Sequence, residues 1–166
     1  QILSALRKTY YRLKCKRLSF FYEQAHNLFR ENDVVICEHL DIENMAKRPV
    51  PKIEEATGQY LPNGASRKAG LNTSIYDAGW GMFLLILKHV ANKLSKQVVA
   101  VRPEYTTQMC SNCNELVIKD LSTRTHECPL CTYSADRDYN AAKNILRLGL
   151  ESLGISLEAP TITLCV

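Results

Sequence analysis

Four cysteines fall as two tight pairs, Cys110-Ser-Asn-Cys113 and Cys128-Pro-Leu-Cys131, separated by residues 114–127. Each pair can turn both sulfurs toward one ion at roughly 2.3 Å, and the intervening span lets the second pair complete a tetrahedron. Four thiolates leave no open coordination position, so the spacing predicts a structural Zn²⁺ site and not a catalytic one. Such ligation contributes on the order of 10 kcal/mol. Residues 114–127 need that support, because Leu116, Val117, Ile118 and Leu121 are their only aliphatic side chains. Two disulfides or a redox CxxC are the rival chemistry; two even pairs behind an N-terminus with no secretory pattern favour metal. His126 is a fifth potential ligand within the span. With four thiolates in place it reads as a surface histidine.

Directly after the second pair comes Asp136-Arg137-Asp138-Tyr139-Asn140, which puts carboxylates at the mouth of a predicted helix. Another acid, Glu38, follows the short apolar run Val34-Val35-Ile36-Cys37. Hard cations such as Mg²⁺ take oxygen ligands, and two ions about 4 Å apart on shared carboxylates clamp both oxygens of a phosphodiester displacement. A carboxylate at the carboxyl end of a buried strand also sits where parallel α/β sheets carry their sites. The plain alternative is that Glu38 merely terminates a strand.

The elements that must position these groups follow from periodicity. Residues 1 to about 31 carry Leu3, Leu6, Tyr10 and Leu13, then Leu18, Phe21, Ala25, Leu28 and Phe29, at helical spacing. The run 34–37 is a strand of the kind buried on both faces. Between Ile42 and Thr73 periodicity fails amid Pro49, Pro51, Gly58, Pro62, Gly64 and Gly70, which predicts a long loop, a lid-like insertion or a floppy excursion. Ser74 or Asp77 can cap one strong helix reaching about Lys96, seamed by Phe83, Leu87, Val90 and Leu94, with Trp80 in its core. Residues 97–102 form a second buried strand; strand, helix, strand predicts a parallel crossover. Asp136 or Asp138 opens a last helix whose Ala141, Ala142, Ile145 and Gly149 suit close packing on a sheet. Residues 155–166 read as a tail.

Composition is that of a globular chain, 46% hydrophobic over 166 residues, and no apolar run reaches the eighteen residues or so that a membrane span needs. The seven cysteines fit a reducing compartment, with Cys15, Cys37 and Cys165 small buried or incidental thiols. A net charge of +4 says less than its distribution. Arg7, Lys8, Arg12, Lys14, Lys16 and Arg17 crowd one stretch with no acid before Glu23, giving it phosphate-binding potential beside the ordinary role of a solvated helix face.

Four stretches in order, Val34–Leu40, Ala78-Gly-Trp-Gly81, Val101–Cys113 and Asp136–Leu146, together resemble the C-terminal half of TnpB (OrfB-type) insertion-sequence proteins. These are transposase-type relatives of the type V CRISPR effectors. The resemblance implies an α/β, RNase H-like (RuvC) nuclease domain over residues 1–104 and 135–154, carrying an inserted four-cysteine zinc ribbon over 105–134. It implies that Glu38 and Asp138 are catalytic magnesium ligands, with Asp136 their neighbour. Cys110, Cys113, Cys128 and Cys131 would hold structural Zn²⁺, and the basic helix would contact nucleic acid. A guide RNA and a DNA target would be the partners, in a prokaryotic cytoplasm at the nucleoid.

Departures from the pattern are visible. His39 stands where the family has Asp or Asn, and Asn114 and Thr132 stand where it has Gly. Asn tolerates a left-handed backbone and Thr does not, so a differently shaped second knuckle is expected. The family's first carboxylate belongs to a segment preceding anything in this sequence, and the chain begins without Met. It is therefore expected to be a fragment or truncated copy with an incomplete metal site. Two functions compete: a Mg²⁺-dependent, RNA-guided DNA endonuclease, and a catalytically inactive zinc-ribbon remnant that still binds nucleic acid. A ribosomal or transcription-type ribbon is a weaker third, since such ribbons need no carboxylate-bearing helix at Asp138.

Overall fold

The computed structural model describes residues 2–120 and 122–155, and the chain divides into two compact units, one of residues 1–39 with 87–166 and one of residues 40–86. The expected tail, apart from Ile155, lies outside the described residues, as do Leu121 and Cys165.

Helix α1 (Ile2–Glu31) opens the first unit. Its 30 residues extend roughly 45 Å at the usual helical rise, whereas the five-residue β1 (Val34–Glu38) that it touches spans only about 17 Å. Cover is therefore available to the end of the helix alone. Ala25 and Phe29 are buried, while Leu3, Leu6, Tyr10 and Leu13 of the same predicted stripe stay exposed. Asn32 stops the helix by donating its side-chain amide to the Leu28 carbonyl at 2.8 Å. Lys96 then donates to the carbonyls of Phe29 and Asn32 and pairs with Asp33 at 3.3 Å. A cation on the last carbonyls suits a helix C-terminus.

The second unit corrects two expectations. Residues 42–73 are not structureless: they hold α2 (Ile42–Met45), a small hairpin of β2 (Lys52–Ile53) and β3 (Tyr60–Leu61), and the start of α3 (Ala65–Ala78). Asp41 caps α2 by accepting from the Asn44 amide at 3.0 Å. Lys68 and Asn72 of α3 fasten the other end by donating to the Met45 and Ala46 carbonyls. The single helix expected from Ser74 or Asp77 to Lys96 is also two helices, α3 and α4 (Trp80–Lys93). Gly79 breaks it with a left-handed backbone (φ 70), its N–H capping Tyr76 and its carbonyl accepting the first bond of α4. Trp80, expected in the core, is 42% exposed at the mouth of α4. Ile86, Leu87, Val90 and Ala91 carry the buried face of α4 instead.

Returning to the first unit, β4 (Gln97–Val101) pairs in parallel with β1, residue for residue from Val34↔Gln97 to Glu38↔Val101. The predicted parallel crossover is present. Burial on both faces is not: every β1 residue keeps some exposure, and Gln97 and Ala100 are exposed. A two-stranded sheet with one helix across it leaves area that further layers would cover. That helix is α5 (Arg137–Ser152), which packs on both strands. Its small-residue face permits this. A Cβ on Gly149 would stand 2.4 Å from Ile36 Cγ2. Preceding α5, β5 (Thr125–Glu127) and β6 (Ser134–Asp136) form an antiparallel hairpin.

Candidate functional site

The two cysteine pairs fold as near copies. In the first, Cys110 N–H donates to the Glu115 carbonyl and Asn114 N–H to the Cys110 carbonyl; in the second, Cys128 pairs with Tyr133 and Thr132 with Cys128 in the same way. Asn114 (φ 62) and Thr132 (φ 59) both take the left-handed backbone. The second knuckle is thus not shaped differently, as expected from its Thr. Thr132 instead accepts a conformation that its branched Cβ disfavours.

All four sulfurs lie within 4.8 Å of one another, with Cys110–Cys131 at 3.7 Å and Cys113–Cys128 at 3.5 Å. A tetrahedron with ~2.3 Å metal–sulfur bonds requires sulfurs about 3.8 Å apart. The donor set therefore fits a zinc ion, and these cysteines are free thiols, not disulfides. Their acidities are split. Hydrogen bonds from Asn112 and the Tyr133 backbone hold Cys131 down to about 6. The Glu115 backbone pulls Cys113 down, but its contacts with Cys131, burial, and contacts with the other two sulfurs outweigh this and push it up to about 12. Crowded sulfurs cannot all ionise unless a cation joins them.

His126 is corrected: it is fully buried and not on the surface. It is the middle residue of β5, inward between exposed Thr125 and Glu127, and fills a core the ribbon lacks aliphatics to build. Burial, with the Lys119 charge beside Nδ1, lowers its pKa, so the ring is neutral and accepts from Lys119. It is not one of the four ligands that converge.

Two residues without an assigned role in the sequence reading, Asn140 and Asn144, join the ribbon to α5. Both are buried. Asn140 donates to the Met109 carbonyl at 2.8 Å and accepts from the Ser111 N–H at 2.9 Å. Asn144 donates to the carbonyls of Thr106 (2.9 Å) and Met109 (2.7 Å). Lys143 adds a cation over the Tyr133 ring at 5.1 Å. The available signal was two amides four apart on a helix, hence on one face.

Glu38 ends β1, where the ladder continues one bond further, His39 N–H to the Val101 carbonyl at 2.7 Å. Its Oε1 accepts from the Thr106 hydroxyl at 2.9 Å. Asp138 stands in the first turn of α5. Asp136 is the cap: its Oδ1 accepts from the amides of Asp138 and Tyr139 at 2.8 and 3.2 Å, which commits that carboxylate to the backbone. The Asp138 side chain is 62% exposed and pairs with Arg137 at 3.1 Å.

The contacts also fix the direction of α5. Ile36 meets Gly149; two residues on, Glu38 meets Thr106, whose carbonyl meets Asn144. Moving toward the carboxyl end of β1 is thus moving toward the start of α5. Asp138 is six residues before Asn144, about 9 Å further in that direction, and at i, i+3, i+7, i+11 it heads the face of Ala141, Ile145 and Gly149. Glu38 and Asp138 therefore belong to the same end of the sheet. The six basic residues Arg7, Lys8, Arg12, Lys14, Lys16 and Arg17 lie elsewhere, all exposed on the projecting part of α1.

Comparison with known proteins agrees with this architecture. Residues 80–145 match the family described as Cas12f1-like, TNB domain. TnpB-like protein L79 of Acanthamoeba polyphaga mimivirus is 31% identical over 147 residues, 88% of this chain and 25% of that protein. InsQ of Escherichia coli (strain K12), provisionally named an RNA-guided DNA endonuclease, is 29% identical over 80% of this chain and 32% of its own length. The chain thus spans a quarter to a third of these relatives. Among solved structures, a chain of the Cas12f1–sgRNA–target DNA complex aligns with TM-score 0.52 and 18% identity, covering 87% of this chain and 36% of that one. The mini-RNA-guided endonuclease CRISPR-Cas_phi3 aligns with TM-score 0.54 and 19% identity over 91% and 21%. No described helix is long and apolar enough to cross a membrane. Residues 80–145 are thus similar to the Cas12f1-like TNB domain, and most of the chain is similar to part of the TnpB-like proteins.

Proposed function

We propose that this chain contributes two carboxylates and the zinc ribbon of a TnpB-type, RNA-guided DNA endonuclease that hydrolyses phosphodiesters with magnesium. The inference that carries the reading is that Glu38, held by Thr106, and Asp138, in the opening turn of α5, belong to the same end of the parallel pair. That is where an RNase H-like sheet would gather its acids. Glu38 and Asp138 would hold Mg²⁺, and Asp136, spent on the cap, would not. Bound there, the metal would activate water and steady the developing charge on the phosphate. The chain's own residues fix Glu38 at one oxygen, aim α5 through Asp136, and keep Asp138 open to solvent with Arg137 beside it.

In this reading the zinc ribbon and the exposed basic helix α1 contact guide RNA and target DNA, and residues 42–73 are a lid-like insertion. The protein would act in a prokaryotic cytoplasm, at the nucleoid. The test is cleavage of target DNA by the full-length protein loaded with guide RNA, beside Glu38→Gln and Asp138→Ala. Both variants are expected to keep zinc and lose Mg²⁺-dependent cutting. Undiminished cutting by Asp138→Ala removes that residue from the site.

A second reading rests on the four-cysteine cluster, which converges without help from any carboxylate. It is a nucleic-acid-binding remnant without catalysis. It predicts binding that weakens steeply with salt as phosphate contacts release counterions, and no cleavage with any divalent metal.

A further inference from the structure

Thr106 lies in the turn after β4 and is 2% exposed. Its hydroxyl is 2.9 Å from Glu38 Oε1 and 3.0 Å from the Pro103 carbonyl, and its backbone N–H also reaches Pro103, at 3.4 Å. A threonine hydroxyl carries one proton, shared here between two acceptors, of which the neutral Pro103 carbonyl lies in the same turn. The second acceptor is a carboxylate oxygen 68 positions away in sequence. The turn and the branched Cβ fix the direction of the hydroxyl, so it restrains a side chain that would otherwise sample several rotamers. The Thr106 carbonyl in turn accepts from Asn144, which also grips Met109, the residue before the zinc ligand Cys110.

We propose that Thr106 is a positioning residue for Glu38: its hydroxyl holds Oε1, leaves Oε2 turned to a divalent cation, and ties that geometry to α5 and the ribbon. The proposal rests on the magnesium reading above. Its distinct content is that metal affinity at Glu38 depends on a hydroxyl that itself touches neither metal nor substrate. Valine keeps the shape of Thr106 and removes the donor; serine keeps the donor.

The experiment measures Mn²⁺ binding by electron paramagnetic resonance, half-saturating Mg²⁺ for cleavage, and bound zinc. It uses the full-length protein as wild type, Thr106→Val, Thr106→Ser and Glu38→Gln. Thr106→Val is expected to weaken Mn²⁺ binding by roughly tenfold to a hundredfold, the worth of a hydrogen bond to a charged group. Half-saturating Mg²⁺ should rise alike, while the rate at saturating metal largely recovers and zinc content stays at the wild-type level. Thr106→Ser restores the affinity. Wild-type Mn²⁺ affinity in Thr106→Val beside its loss in Glu38→Gln overturns the proposal and leaves the carboxylate site standing. Failure of serine to rescue, or loss of zinc from Thr106→Val, overturns it in favour of plain packing. Unchanged Mn²⁺ binding in Glu38→Gln removes both.

Discussion

Replacing Gly149 by alanine tests the closest approach in the first unit. The added Cβ would stand 2.4, 2.5 and 2.9 Å from Cγ2, Cδ1 and Cγ1 of Ile36, where carbon atoms normally rest about 3.5–4.0 Å apart. Either α5 lifts from β1 by about 1 Å or Ile36 leaves its rotamer; overpacking of this kind costs ~1–3 kcal/mol. Against that, alanine favours a helix interior over glycine by ~0.8–1.0 kcal/mol. The expected net is a loss of about 1 kcal/mol, a drop in Tm of roughly 3–6 °C for a domain of this size. Ile36→Ala deletes all three clashing atoms. In that background Gly149→Ala should turn stabilising, by about 0.5–1 kcal/mol. Urea unfolding of the four zinc-loaded proteins gives the coupling, expected near ~2 kcal/mol. If Gly149→Ala stabilises both backgrounds equally, helix propensity governs the site and the contact between α5 and β1 is not as close as described.

Thr132→Gly should relieve a left-handed β-branched residue and stabilise the ribbon by ~0.5–1 kcal/mol, seen as slower zinc loss to a chelator; faster loss contradicts the strain. Asn144→Asp turns a donor facing two buried carbonyls into an acceptor and should cost about 3 kcal/mol or more in urea unfolding, a cost below about 1 kcal/mol being incompatible with the contacts described. Lys96→Met keeps the aliphatic stem but uncaps α1, and should cost ~1–2 kcal/mol; an unchanged Tm would show the carbonyls content with water. Stripping the metal with a chelator should unfold β5–β6 and free its amides to exchange, since zinc supplies on the order of 10 kcal/mol to such segments; retained protection would refute a structural site.

What the sequence made legible was local. Cysteine spacing alone specifies the cluster, and the short runs at residues 34–37 and 97–102 read as strands, the second ending one residue earlier than expected, at Val101. The misreadings each have a tertiary cause. Helix α3 begins Ala-Ser-Arg-Lys-Ala-Gly-Leu, with helix formers but no apolar stripe, because most of its surface faces solvent; periodicity had nothing to register. Gly79 was hidden inside a helical pattern that continues in composition on both sides of it. His126 is buried since the ribbon has little else to bury, a shortage visible in the sequence whose remedy was not. At Thr132 the knuckle's backbone overrides the residue's preference, as a metal clamp allows. Two asparagines to which the sequence assigned no role hold the ribbon to α5, since amides declare their partners only once the fold has brought unpaired carbonyls to them.

Strand β6 passes into α5 without a loop: Asp136 is both the last residue of the strand and the cap of the helix. The rotational phase of the helix is therefore set by the hairpin that the second knuckle turns. One residue inserted between Cys131 and Arg137 would swing every α5 side chain by about 100°, parting Asn140 and Asn144 from their carbonyls and bringing bulk where Gly149 now gives Ile36 room. Exchanging a side chain along this segment acts locally, whereas changing its length acts on the whole helix.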